Sequence, residues 1–313
     1  MKGLELSRRY YEEFGAPMLA EQFPELDDRI AVGLCGSGSE CFGYDDEVSR
    51  DHDFEPGFCL FLPDEDAVDR RTAFRLERAY AALPKSYRGF ERQRMNPVGG
   101  NRHGVIRRAD FFREKCGAAD GDLTVRQWLT IPESALAEAV NGEVFRDTSG
   151  EFTRIRNRIA AMPEDIRKKR LAGLLVLMNQ AGIYNYPRTL AHGESGAAQL
   201  AIGEYAGAAM RVIFLLNRRY MPYYKWSFRA MRELPLLGNL ADALEYLLTS
   251  DNSPDSAATK TAVISDICAL VAAELKALGL PSGDGDDPET LGYAVNGGIA
   301  DEEIRNLHIL CAV

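Results

Sequence analysis

Histidine is scarce and dispersed. The chain has four in 313 residues, and their scatter argues against a His-based zinc site. The six cysteines (Cys35, Cys41, Cys59, Cys116, Cys268 and Cys311) include no C-x-x-C pair, which removes the usual thiolate metal and redox motifs. Four of them sit in apolar runs, and the simplest reading is buried free thiols in a reducing compartment. Positive charge is in the minority: 37 Lys and Arg face 47 Asp and Glu, a net charge of −10. That balance argues against gripping nucleic acid through its backbone charge and suits a cationic small molecule. No apolar stretch free of charges is long enough to cross a bilayer, so no membrane partner is expected. The N-terminus, MKGLELSRRYYEEF, lacks the apolar core of a signal peptide. A cytoplasmic protein is the expectation.

Core-forming material is plentiful at 46% hydrophobic residues. Leu6, Tyr10, Phe14 and Met18 recur at helical spacing, so residues 4–23 are expected to be one helix. IAVGLCG reads as a buried strand ended by glycine. DHDFEPGFCLFLP reads as a second strand kinked at Glu55-Pro56-Gly57. Residues 64–83 form a charged helix with an acidic first turn. GGNRHGVIRRADFF reads as a turn and a third strand, giving strand–helix alternation. NGEVFRDTSGEF is a turn-rich junction, after which nearly everything is helix. The expected architecture is α+β followed by all-α: a mixed sheet flanked by helices over 1–150, then a helical bundle over 151–313.

The stretch LCGSGSECFGYDDEVSRDHDF (34–54) concentrates the chemistry. Asp51 and Asp53 are two apart on a predicted strand, so both carboxylates share a face. Like charges side by side are unfavourable without a cation between them. Mg²⁺, which takes oxygen ligands from one or two carboxylates plus substrate phosphates, fits that need. Gly36, Ser37 and Ser39 follow the first strand, where backbone N–H groups and hydroxyls would hold a phosphate. His52 points to the opposite face. Asp45, Asp46 and Glu47 read either as a solvated loop or as part of the acceptor side.

The order strand, Gly-Ser, acidic spacer, Asp-x-Asp, strand resembles the nucleotidyltransferase superfamily typed by DNA polymerase β and the aminoglycoside adenylyltransferases. The matching residues are Gly36-Ser37 and Asp51-His52-Asp53. The likeness continues through NGEVFRD (141–147), YNYPR (184–188) and LNRRYMPYYKW (216–226), in a bacterial two-domain layout. It implies a transfer of a nucleoside monophosphate from ATP or another NTP to a hydroxyl of a small-molecule acceptor, with Mg²⁺ on Asp51 and Asp53. It also implies a lysine of the helical domain on the triphosphate. Lys225 matches by position, and Arg219 is a neighbouring phosphate ligand or a solvated helix end. One departure stands out. The strand after Asp-x-Asp usually carries a third carboxylate, and the matching position here is Ile106. Asp110, Glu55 and Glu143 are the candidates to replace it. With none, the protein would bind nucleotide without efficient transfer. A transferase acting on tRNA is the reading that the acidic balance disfavours.

Overall fold

The computed structural model describes residues 1–48, 54–92, 102–281, 283 and 285–313. Helix accounts for 62% of the protein beside a small mixed sheet, an α+β composition. The chain divides into two compact units: Met1–Leu123 with Ala135–Ala161, and Thr124–Ser134 with Met162–Val313.

The first unit opens with helix α1 (Gly3–Tyr10), a π-helical turn (Tyr11–Gly15) and α2 (Ala16–Gln22). The single helix expected here is thus interrupted by a widened turn, in which the Ala16 N–H reaches the Tyr11 carbonyl. Pro17 is the physical cause. It has no N–H to donate, and its ring would clash with the carbonyl four residues back. Next come β1 (Ala31–Leu34), β2 (Cys59–Leu62), α3 (Arg70–Ala82), the short hairpin β3 (Ser86–Tyr87) and β4 (Phe90–Glu91), β5 (Gly104–Arg107) and α4 (Arg108–Cys116). Helix α5 (Val125–Thr130) lies within the excursion to the second unit, and α6 (Glu133–Val140), β6 (Glu143–Asp147) and α7 (Glu151–Ala160) follow.

Three sequence expectations are corrected. The charged helix starts at Arg70, because the Asp69 side chain caps it by accepting the Thr72 N–H at 2.7 Å. The third strand ends at Arg107, and ADFF belongs to α4. Asp110 therefore sits in a helix's first turn, where a carboxylate complements the dipole, and binds Arg113 at 2.7 Å on the surface. The turn-rich junction contains strand β6.

The four-stranded sheet runs β5-β2-β1-β6. β1 is antiparallel to both neighbours, while β2 and β5 are parallel. The apolar runs AVGL and CLFL are buried at every position, as central strands covered on both faces require. Alternation divides the core. Leu60 and Leu62 join Leu6, Tyr10, Val32, Leu76 and Tyr80 in one cluster. Phe61 points the other way, stacked on Phe152 at 4.1 Å and edge-on to Phe111 at 5.1 Å.

The second unit is helical beyond α5: α8 (Glu164–Met178), a π-helical turn (Asn179–Asn185), α9 (Tyr186–Ala191), α10 (Ser195–Leu216), α11 (Tyr224–Arg232), α12 (Ala241–Thr249), α13 (Pro254–Ala277), α14 (Pro288–Gly297) and α15 (Glu302–Asn306). α8 is central, and α14 lies so close that a Cβ on Gly292 would meet the Ala172 carbonyl at 2.8 Å. α8 also buries Lys169, which donates to Asn296 Oδ1 and to the carbonyls of Arg305 and Leu307. Two helices meet the length and mean hydropathy (1.3) of a bilayer span, though each carries charged residues, Glu204 and Arg211 in α10 and Lys260 and Asp266 in α13. In α10 67% of the apolar window is buried inside the protein. In α13 Ile264, Ile267, Val271 and Leu275 form a buried stripe, while Asp266 lies on the exposed side.

Candidate functional site

Strand direction gathers the functional segments of the first unit. The register pairs Gly33 with Cys59, Leu34 with Glu143, and Cys59 with Gly104. The C-terminal end of β1 thus lies beside the N-terminal ends of β2, β5 and β6. From this one end of the sheet emerge the Gly-Ser loop, the segment 54–58, residues 102–103 and the turn at Asn141-Gly142.

The Gly-Ser loop is held on three sides. Asn141 grips Gly36 twice: its Oδ1 accepts the Gly36 N–H at 2.8 Å and its Nδ2 donates to the Gly36 carbonyl at 2.7 Å. Gly36 has φ +106°, a conformation that L side chains rarely adopt. Its role is therefore conformational, since its amide is already satisfied. The Ser37 hydroxyl is exposed, donates to Glu138 Oε2 at 2.8 Å and receives Lys115 Nζ at 3.0 Å. Lys115, on α4, also binds Glu138 at 2.8 Å. Burial works against its charge, but the hydrogen bonds and charges of Glu138 and Glu114 outweigh burial and hold the ammonium above its ordinary range. Arg102 closes the third side, binding the Ser37 carbonyl at 2.6 Å and the buried carboxylate of Glu40. Gly38 makes that closure possible: a Cβ there would lie 1.7 Å from Arg102 Nη2. Ser39 is half-buried, and its carbonyl accepts from the Phe42 and Tyr44 amides. Lys115, Glu138, Asn141 and Arg102 were not singled out from sequence. Asn141 opens the NGEVFRD segment, but sequence gives none of the four a role in the loop, because each meets it from a distant element.

The acids divide by partner. Asp45 is not a solvated loop residue. It is buried and accepts the Gly3 N–H at 2.9 Å at the start of α1. Lys2 stands 3.8 Å away, so a helix N-terminus and an ammonium offset its charge. Glu55 contacts His103 Nδ1 at 2.9 Å. Glu143, on β6, is ion-paired with Arg8 of α1, and its hydrogen bond helps hold that guanidinium's pKa above the ordinary value. Ile106 pairs with Phe61, two residues into β5 from Gly104. Asp51 and Asp53 lie outside the described residues.

Three thiols lie near this end. Cys59 Sγ donates to the Arg102 carbonyl at 3.2 Å and Cys41 Sγ to the Ser37 carbonyl at 3.6 Å. Burial pushes the Cys35 thiol up to about 11 and raises Cys41 and Cys59 too. They are protonated packing groups rather than thiolate ligands. Among the described residues, no three His, Cys, Asp or Glu side chains are grouped to hold a metal.

The other expected phosphate ligands belong to the second unit. Arg219 follows the end of α10 and Lys225 opens α11, both exposed. Lys225 Nζ stands 5.8 Å from the Trp226 ring centre. Arg218 has φ +53° and pairs with Glu164 at 3.0 Å. Below this segment is an ionic cluster that sequence reading missed. Glu133 Oε1 lies 3.1 Å from Arg170 Nη1 and 3.2 Å from Arg211 Nη2. Arg170 also donates to the Trp128 and Ile131 carbonyls.

A protein-family model described as a domain of unknown function (DUF4037) matches residues 128–227. That span contains Arg219, Lys225 and all three members of the ionic cluster. No curated protein and no solved structure matches the chain.

Proposed function

We propose that the protein is a Mg²⁺-dependent nucleotidyltransferase that moves a nucleoside monophosphate, most simply AMP from ATP, to a hydroxyl of a small molecule. The carrying observation is the sheet end: the Gly36-Ser37 loop leaves β1 beside the start of β2, the strand that follows the Asp51-x-Asp53 motif by six residues. The nucleotidyltransferase layout, with a helical second unit bearing Lys225 and Arg219, is part of the same reading.

The residues suit a triphosphate. Ser37 offers an exposed hydroxyl with the Lys115 ammonium at 3.0 Å, and a phosphate there would take the place of the Glu138 carboxylate that now holds both. Asp51 and Asp53 would hold Mg²⁺, which when bound would offset triphosphate charge and favour ionisation of the acceptor hydroxyl. Lys225 would bind the leaving end of the triphosphate, with Arg219 supporting it. In the transfer, the acceptor oxygen bonds to the α-phosphorus, the bond from that phosphorus to the bridging oxygen breaks, and pyrophosphate leaves. The hydroxyl proton needs an acceptor on the chain, and Glu143 would serve only on release from Arg8.

That last point favours a second reading: a non-catalytic nucleotide-binding protein on the same scaffold. At this end of the sheet the carboxylates of Glu40, Glu55 and Glu143 are engaged by Arg102, His103 and Arg8, and Ile106 stands at the expected third-acid position. Calorimetric titration of ATP, GTP, CTP and UTP, with and without Mg²⁺, into wild type and D51N/D53N tests the shared premise. Metal-dependent binding that the double variant loses is expected. Binding with no pyrophosphate release across an acceptor screen would select the second reading, and no triphosphate binding under any condition would sink both.

A further inference from the structure

The second unit contains a cleft of about 500 Å³. Its lining includes Ile131, Glu133, Arg170, Arg211, Tyr223 and Tyr224. The residues that line it all belong to that unit.

Its charge is unbalanced. Arg170 is almost fully buried and Arg211 is 23% exposed, yet they share one carboxylate, Glu133. Neither arginine pairs with another acid among the described residues. Two guanidinium groups against one carboxylate leave a surplus positive charge in a partly desolvated place, where an uncompensated charge is costly. The hydrogen bonds show which group carries the surplus outward. Arg170 spends its Nε, Nη1 and Nη2 on Trp128, Ile131 and Glu133. Arg211 uses Nε and Nη2 on Glu133 and the Ala312 carbonyl. Its Nη1 edge makes no hydrogen bond among the described residues.

The shared carboxylate is itself incompletely satisfied. Glu133 is 3% exposed at its side chain, and its Oε2 has no hydrogen-bond partner. Buried carboxylate oxygens are rarely left so. The cleft thus offers a donor edge for an oxyanion, beside a carboxylate whose second oxygen is buried. At the cleft wall the Tyr223 and Tyr224 rings are 4.3 Å apart and exposed, a surface for a flat ring.

We infer that this cleft binds a small molecule in which an oxyanion, phosphate or carboxylate, is attached to a flat ring. The oxyanion sits on the Nη1 edge of Arg211, and the ring lies against Tyr223 and Tyr224. Arg211 is the residue to test, because its removal leaves the neutral Arg170–Glu133 pair in place.

The probes are phenyl phosphate and benzoate, with inorganic phosphate and phenol as the separated halves, titrated calorimetrically into the full chain. Phenyl phosphate or benzoate should bind wild type more tightly than either half, and the preferred member of the pair assigns the anion. R211Q should weaken that binding by about tenfold or more, the usual effect of losing a charge-assisted hydrogen bond. Y224A should weaken the ring-bearing probes and leave inorganic phosphate unchanged. R211K keeps the charge and loses the fork, and carries the same comparison if R211Q does not fold. Failure of both ring-bearing probes to bind at millimolar concentration, or equal binding by wild type and the Arg211 variants, overturns the inference.

Discussion

Replacing Arg170 by methionine is the most informative perturbation of the fold. The residue is 1% exposed and its side chain makes four hydrogen bonds: two to the Trp128 carbonyl at 3.0 and 2.6 Å, one to Ile131 at 2.8 Å and one to Glu133 at 3.1 Å. Methionine fills much of the volume, so the cavity contribution is small and the polar groups decide the result. Two carbonyls lose their partner, each costing about 1–3 kcal/mol when left unpaired in the interior. Glu133 keeps Arg211, so its charge is weakened rather than orphaned. The expected loss is about 3–5 kcal/mol, the range for breaking a buried ion pair from one side. Set against about 5–15 kcal/mol for a typical domain, R170M should remain folded at low temperature but melt early. R170M/E133L removes the stranded acid and should lose less than the sum of its singles, with a coupling of about 1 kcal/mol or more. The assay is urea unfolding followed by tryptophan fluorescence. Both tryptophans, Trp128 and Trp226, belong to the second unit, so the signal reports that unit alone. A loss below about 1 kcal/mol for R170M, or strict additivity in the double variant, would refute the claim that buried polar pairing holds this unit's core.

Three other outcomes are expected. G38A should lower the urea midpoint of the first unit, because φ +122° and a 1.7 Å approach to Arg102 leave no room for a methyl group; an unchanged midpoint by circular dichroism would contradict the loop geometry. In native protein at pH 8, a bulky thiol reagent should label Cys311 first, since it is the half-buried one and the other five thiols are buried; guanidinium should expose the rest. Stability of the second unit should fall on acidification. Glu164 is held below its ordinary range although burial alone would raise it, because hydrogen bonds and charges from Arg167 and Arg218 prevail. Asp165 is likewise depressed against burial by the Asp301 and Ala300 amides and by Lys168. Depressed folded values mean that the unfolded chain binds protons first. Their contribution is present above the unfolded values of about 4 and disappears as pH drops through the folded ones. E164Q/D165N should be less stable at neutral pH and show a flatter acid limb; a parallel pH profile would remove these two groups from the account.

Much of the first unit was legible in the chain. AVGL and CLFL announced buried central strands because their apolar residues are uninterrupted, and Leu6, Tyr10 and Met18 marked a helical face. Strand β6 was missed. Its sequence, EVFRD, is half polar, and its strand character comes from pairing with β1 rather than from local propensity. The run of β5 into α4 was misread for a related reason: VIRRADFF suits either state until the sheet ends. Pro17 was visible, but its effect on hydrogen-bond register needed the surrounding helix to appear.

By itself the sequence determined the α+β composition and the buried central strands AVGL and CLFL. It also presented Asp51-His52-Asp53 as the element that resembles a known chemistry. Local spacing and backbone sterics suffice for each of these. Only the tertiary structure decided which partners those groups have. Gly36 meets Asn141 across 105 positions, Ser37 meets Glu138 across 101, and Arg170 and Arg211 converge on one carboxylate. An ion pair or a loop clamp is a relation between distant positions, and its strength depends on burial and dielectric. Neither quantity is written in a one-dimensional pattern, which is why the charged cleft emerged only once the chain had folded.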